Sequence, residues 1–161
     1  MRRSSRVMLW LAMAVLLASL TWLFDILGAG GDSRQLRVTG TEVSIQADRQ
    51  GHYRAAGEIN GRAVEFLLDT GATSVAVPAS LVAQLGLQRG PKIQLQTANG
   101  VSSGYLTRID QVKLGSIIVN DVSAVITDGL DSEVLLGMSF LRHLSWRRSK
   151  DELVLAPSVE E

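Results

Sequence analysis

From Leu36 onward the chain runs in short alternations of apolar and polar residues broken by turn formers, a pattern that predicts strands. Val43-Ser44-Ile45 alternates, Asp48-Arg49-Gln50-Gly51 supplies a turn, and His52 to Ile59 reads as the returning strand. Asn60-Gly61 is a two-residue hairpin signal, because both positions tolerate positive φ, and Ala63 to Leu68 follows as the next strand. Val75-Ala76-Val77 reads as a short buried strand. Pro78 to Leu85 follows as a short helix, with proline near its start and Gly86 just past its end. Lys92 to Thr97 alternates, Asn99-Gly100 marks a second hairpin, and Tyr105 to Leu114 and Ile117 to Ile126 read as strands around Gly115-Ser116. Leu135-Leu136-Gly137 is a further apolar pair ending in a turn former. Met138 to Leu144 predicts one or two helical turns, and Leu153-Val154-Leu155 a terminal strand. The expected fold of residues 36–161 is one mostly β domain with short helices.

The N-terminus is patterned differently. Val7 to Phe24 is 18 residues without a charge, and Ile26-Leu27 extend the apolar segment past Asp25. As a helix it would be about 27 Å long, close to the thickness of a bilayer core. Arg2, Arg3 and Arg6 precede it, whereas Asp25 and Asp32 follow, so the positive-inside rule keeps the N-terminus in the cytoplasm. Trp10 and Trp22 sit near its ends, as interfacial aromatics do. A cleaved signal peptide is the rival reading, but the apolar stretch is long for one and no Ala-x-Ala site follows cleanly. Residues 1–27 are therefore expected to be a cytoplasmic tip and a transmembrane signal-anchor, and residues 28–35 a flexible linker. The domain 36–161 is expected outside the cytoplasm.

Composition narrows the chemistry. Lys+Arg and Asp+Glu are both 16, so no global charge points to nucleic acid. Cysteine is absent, which removes disulfides, thiol nucleophiles and Cys-ligated metals. His52 and His143 lie far apart without an acidic ligand pattern, so neither a metal nor another cofactor is expected. Arg142, Arg147, Arg148 and Lys150 form a basic cluster that reads as a solvated face rather than a lipid contact.

The chemistry concentrates in Phe66-Leu67-Leu68-Asp69-Thr70-Gly71-Ala72. Asp69 directly follows three large apolar residues, where an ionised carboxylate is costly unless hydrogen bonds or function retain it. Thr70 and Gly71 let the backbone turn sharply and other groups approach the acid closely. On the tripeptide alone, an Asx turn capping its own backbone is an equal reading. The flanking strand, the hydroxyl pair Thr73-Ser74 and the later Leu135-Leu136-Gly137 favour a functional loop.

Taken in order, these motifs resemble the retroviral-type (retropepsin-like, clan AA) aspartic proteases, and more closely their bacterial membrane-anchored relatives. The resemblance covers roughly Gly57 to Pro157. Leu67-Leu68-Asp69-Thr70-Gly71-Ala72 matches the active-site loop, Thr97-Ala98-Asn99-Gly100 falls within a candidate flap, and Leu135-Leu136-Gly137-Met138 matches the element near the C-terminus. It implies a closed β-barrel subunit with Asp69 as the catalytic acid, Thr70 as a brace between loops and Gly71 close to substrate. Ala72 completes that loop, while Leu135, Leu136 and Gly137 support it by packing.

Hydrolysis by this route asks for two carboxylates on one water, one ionised and one protonated. The chain holds one Asp-Thr-Gly and no Asp-Ser-Gly. Asp128-Gly129 and Asp131-Ser132 lack a preceding apolar strand. The partner acid is therefore expected to be Asp69 of a second copy across a two-fold axis. The function expected is a homodimeric, membrane-anchored aspartic endopeptidase acting on peptides or proteins. A protease-like module that only binds peptides or dimerises is the alternative, and a structural membrane anchor is a third.

Overall fold

The computed structural model describes residues 13, 17, 19, 36–97 and 100–158. The chain divides into two compact units, Met1–Ser33 and Arg34–Glu161. In the first, Met13, Leu17 and Ser19 are helical; the rest of the expected anchor, and all of the expected linker, lie outside the described residues. Among the described residues no helix is long and apolar enough to cross a membrane.

The second unit is built on strands. β1 (Leu36–Thr39), β2 (Glu42–Gln46), β11 (Glu152–Pro157) and β10 (Leu144–Ser149) form an antiparallel sheet in that order. A seven-stranded sheet has the order β3 (Tyr53–Ile59), β4 (Arg62–Leu68), β9 (Val134–Leu136), β5 (Val75–Pro78), β8 (Ile117–Thr127), β7 (Gly100–Leu114), β6 (Lys92–Thr97). β3 also pairs with β7 through Glu58↔Lys113 and Ile59↔Val112, so the strand order returns on itself. The predicted Asn60-Gly61 hairpin joins β3 to β4, both residues adopting positive φ (50° and 71°).

The alternation read in the sequence is the burial pattern of these strands. Val43, Ile45, Ala55, Ile59, Phe66, Ile109, Val112 and Leu114 are wholly buried and meet in one core with Leu136 and Phe140. Truncating Phe66 or Phe140 to alanine would cost about 3–5 kcal/mol on the usual scale of large-to-small core changes.

Three elements differ from the sequence reading. Residues 78–85 divide into a 3-10 turn, Ala79–Leu81, and one α turn, α1 (Val82–Leu85), ended by Gly86 at φ 67°. Only Leu85 of these helical residues is buried, so no apolar stripe holds a longer helix there. β7 starts at Gly100 rather than Tyr105, because its first residues pair with the exposed β6 and carry no inward apolar side chains. Leu144–Ser149 is a strand, where its basic residues had suggested only a solvated face. β10 is an edge strand whose residues after Leu144 are exposed, which lets Arg147 and Arg148 occupy it. A single helical turn, α2 (Met138–Leu141), precedes it.

Candidate active site

β4 and β5 are consecutive strands, yet β9 lies between them. β9 runs parallel to β4 (Leu67↔Leu135, Leu68↔Leu136) and antiparallel to β5 (Ala76↔Leu135). The chain leaving β4 at Asp69 must therefore arch over the end of β9 to reach Val75. This crossing fixes the loop that carries the acid.

The loop is tied from below along its length. The Asp69 N–H donates to the Leu136 carbonyl (3.1 Å), Met138 N–H to the Ala72 carbonyl (2.8 Å) and Ser139 N–H to the Thr73 carbonyl (3.0 Å). Ser139, 7% exposed, accepts the Val75 N–H at 2.9 Å and donates its hydroxyl proton to the Ser123 carbonyl at 2.7 Å. A buried hydroxyl thus satisfies two backbone groups where β5, β8 and α2 meet. Gly137 is needed for the close approach: a Cβ there would lie 2.4 Å from the Ser74 carbonyl oxygen and 2.6 Å from that of Ala72.

The acid itself is oriented within the loop. Asp69 Oδ1 accepts the Gly71 N–H at 2.8 Å, and its backbone carbonyl accepts the Ala72 N–H at 3.2 Å. This is the Asx turn that the tripeptide alone allows, built beneath a partly exposed carboxylate. Asp69 and the exposed Thr70 open on a cavity of about 240 Å³. Its other walls are Tyr53, Leu68, Leu141, Trp146, Arg148, Leu153 and Leu155, so β10 and β11 come up against the loop. Trp146 is 45% exposed at this edge. One carboxylate with apolar walls can accept a proton from water; the second, proton-donating group must come from elsewhere.

The structure thus gathers Asp69, Thr70, Gly71 and Ala72 with Leu135, Leu136 and Gly137. Thr97 and Gly100 face each other at the end of the β6–β7 hairpin, where Thr97 Oγ1 donates to the Gly100 carbonyl at 2.8 Å. Ala98 and Asn99 of the candidate flap lie outside the described residues. Asp128 directly follows β8, so contrary to expectation an apolar strand does precede it, but it and Asp131 are exposed in the segment before β9 and neither heads an Asp-Thr-Gly. Among the described residues no group of three or more His, Asp or Glu side chains is placed to hold a metal ion. Sequence reasoning missed Ser139 and Trp146; a serine inside an apolar helical turn beside Gly137 was the available signal for the first.

The crossing of β4, β9 and β5 beneath an Asp-Thr-Gly loop defines the retropepsin-like class of aspartic protease. Residues 55–143, more than half of the chain, match the family described as gag-polyprotein putative aspartyl protease, and the chain belongs to that family. A retropepsin-like aspartic protease from Rickettsia conorii is similar in structure: TM-score 0.60 at 28% identity, covering 71% of this chain and 89% of that one. EIAV protease, complexed with the inhibitor HBY-793, matches 61% of this chain and 92% of its own length, at 20% identity and TM-score 0.49. An uncharacterized protein in the cobV 5' region of a Sinorhizobium species is 29% identical over 119 residues, 71% of this chain. The chain spans about half (51%) of that relative's length.

Proposed function

We propose that the chain is an aspartic endopeptidase, active as a homodimer and anchored in the bacterial inner membrane with its protease domain in the periplasm. The observation that carries the reading is the Asp69 loop. A carboxylate turned outward by the Gly71 N–H sits on a backbone held by β9 and α2, in a domain of an aspartic protease family. Two Asp69 side chains meeting across a two-fold axis would share one proton, because like charges so close resist joint ionisation. The ionised member takes a proton from water as it attacks the scissile carbonyl; the protonated member donates to the carbonyl oxygen. In this reading Thr70, exposed beside Asp69, braces the partner's loop, and Gly71 lies along the substrate. The β6–β7 hairpin, Thr97 to Gly100 at its tip, closes over an extended peptide bound by main-chain hydrogen bonds. The similarity to the Rickettsia conorii protease and the long N-terminal apolar run support the enzymatic and the membrane parts respectively.

The test is cleavage of a diverse peptide library by the full chain in detergent, at high concentration and from acid to neutral pH, beside its Asp69→Asn variant. Cleavage by the native chain alone, falling on dilution with loss of the dimer, supports the reading. Equal cleavage by both chains overturns Asp69 as the acid. A dimer silent in both forms favours the peptide-binding module instead.

A further inference from the structure

The Asp69 loop is tied to β9, but β9 is only three residues long and meets β5 at a single register pair. Its far end is fixed by the close approach of Gly137 to the Ala72 and Ser74 carbonyls. Its near end follows the segment Asp128–Glu133, of which only Leu130 and Glu133 are partly buried. The near end is held by a charge. Arg54 of β3 donates from Nε to Glu133 Oε1 at 2.7 Å, and from Nη1 to Asp48.

The register explains the reach. Arg54 stands opposite Leu67, and Leu67 opposite Leu135, so these side chains share the face of the sheet away from Phe66 and Leu136. Glu133, two residues before Leu135, belongs to the same face, and the guanidinium spans β4 to meet it. Asp48, the other arm's partner, is itself fixed: its Oδ1 accepts the N–H groups of Gln50 (2.8 Å) and His52 (2.9 Å). The side chains of Asp48, Arg54 and Glu133 are 12%, 20% and 31% exposed, whereas the surface pair Arg108–Asp121 is 59% and 70% exposed. Solvent screens the inner set far less. A rigid turn, a planar fork and a short strand are thereby linked in series.

We propose that Arg54 is a positioning residue for the candidate active site: bound to Glu133 and braced by Asp48, it holds the near end of β9. Through Leu136 and the start of α2 it thereby sets the placement of the Asp69 loop. The activity arm of this proposal rests on the peptidase reading; the structural arm does not. Loss of the bond frees β9 to shift, and the loop shifts with it.

The test compares the full chain in detergent with Glu133→Ala, Glu133→Gln and Arg54→Met, reading amide hydrogen exchange by NMR. With Glu133→Ala and Arg54→Met, the Asp69, Met138 and Ser139 amides should exchange about tenfold faster, while those of the β7–β8 ladder hold. A glutamine amide keeps a carbonyl acceptor for the Arg54 Nε–H, so Glu133→Gln should recover most of the protection. On a peptide taken from the library, kcat should fall about 10- to 100-fold in the alanine variant, with KM within about twofold. Unchanged exchange at the three amides, or acceleration spread evenly over the whole domain, overturns the proposal. Should Arg54→Met not fold, Glu133→Ala decides, since Glu133 lies outside every strand. A native chain that cleaves nothing would sink the peptidase reading and leave the exchange comparison to decide on the clamp.

Discussion

The Asp69 loop and the β6–β7 hairpin are both turns between strands, and they are held in opposite ways. The loop draws its partners from β9, α2 and the buried Ser139, elements more than sixty positions further along the chain. The hairpin is bonded mainly to itself: among the described residues β6 pairs only with β7, Thr97 bonds Gly100, and Val101 is 70% exposed. Even at its base the contacts are local, with Arg89 5.2 Å from the Tyr105 ring and the Thr107 hydroxyl donating to the Gln88 carbonyl at 2.8 Å. Hydrolysis needs an acid that does not move and a cover that does. Under the proposed function, the loop held by distant elements suits the first role and the hairpin bonded mainly to itself suits the second.

The comparison can be broken most forcefully at the acid. Asp69→Asn should lower cleavage by about a thousandfold or more while the thermal transition stays in place, since an amide cannot accept the water's proton. Residual cleavage within tenfold of the native chain would remove Asp69 from the mechanism. Gly137→Ala tests the fixity of the loop: its methyl would meet two carbonyl oxygens, and denaturant unfolding should show a loss of about 1–3 kcal/mol. Ser139→Ala strands the Val75 N–H and the Ser123 carbonyl and should cost about 1–3 kcal/mol, with slowed cleavage.

A narrower effect belongs to Asp48, whose carboxyl is held below the usual carboxylate range first by the His52 N–H, then by the Gln50 N–H and the Arg54 guanidinium. A depressed folded value gives stability that is present above the unfolded value and lost as pH falls through the folded one. Asp48→Asn should therefore flatten the acid limb of the stability profile and change little once the pH lies below the depressed folded value. The smallest stability effect is expected in the hairpin: Val101→Ser should move unfolding by no more than about 0.5 kcal/mol while raising KM. A large stability loss there would show that the hairpin is part of the core and erase the contrast.

The parts legible in the sequence were those in which neighbours decide. The Asp69 turn, the Asn60-Gly61 hairpin and the buried faces of β3, β4 and β8 follow from residues within a few positions of one another. The insertion of β9 between β4 and β5 is not local. Leu135-Leu136-Gly137 announces an apolar pair and a turn, yet nothing nearby says that its partners are Leu67 and Ala76. The Arg54–Glu133 bond joins residues 79 positions apart and was invisible for the same reason. β10 was hidden by its charges: Arg147 and Arg148 look solvated and are solvated, but on an edge strand bonded to β11. Ser139 reads as an ordinary small residue until the two backbone groups it serves come together.

The parallel pairing of β4 with β9 also sets an order of events during synthesis. Strand β4 and its hairpin partner β3 can form as soon as they appear, but the backbone partners of the Asp69 loop lie at Leu136, Met138 and Ser139. Contacts of such large sequence separation form late, after a long loop has closed. A growing or truncated chain that stops before Val134 carries the whole Asp-Thr-Gly signature and none of the backbone partners that β9 and α2 give it. The scaffold of the loop is assembled only when the last quarter of the domain has arrived, so an unfinished chain has no ordered Asp69 loop to offer its neighbours.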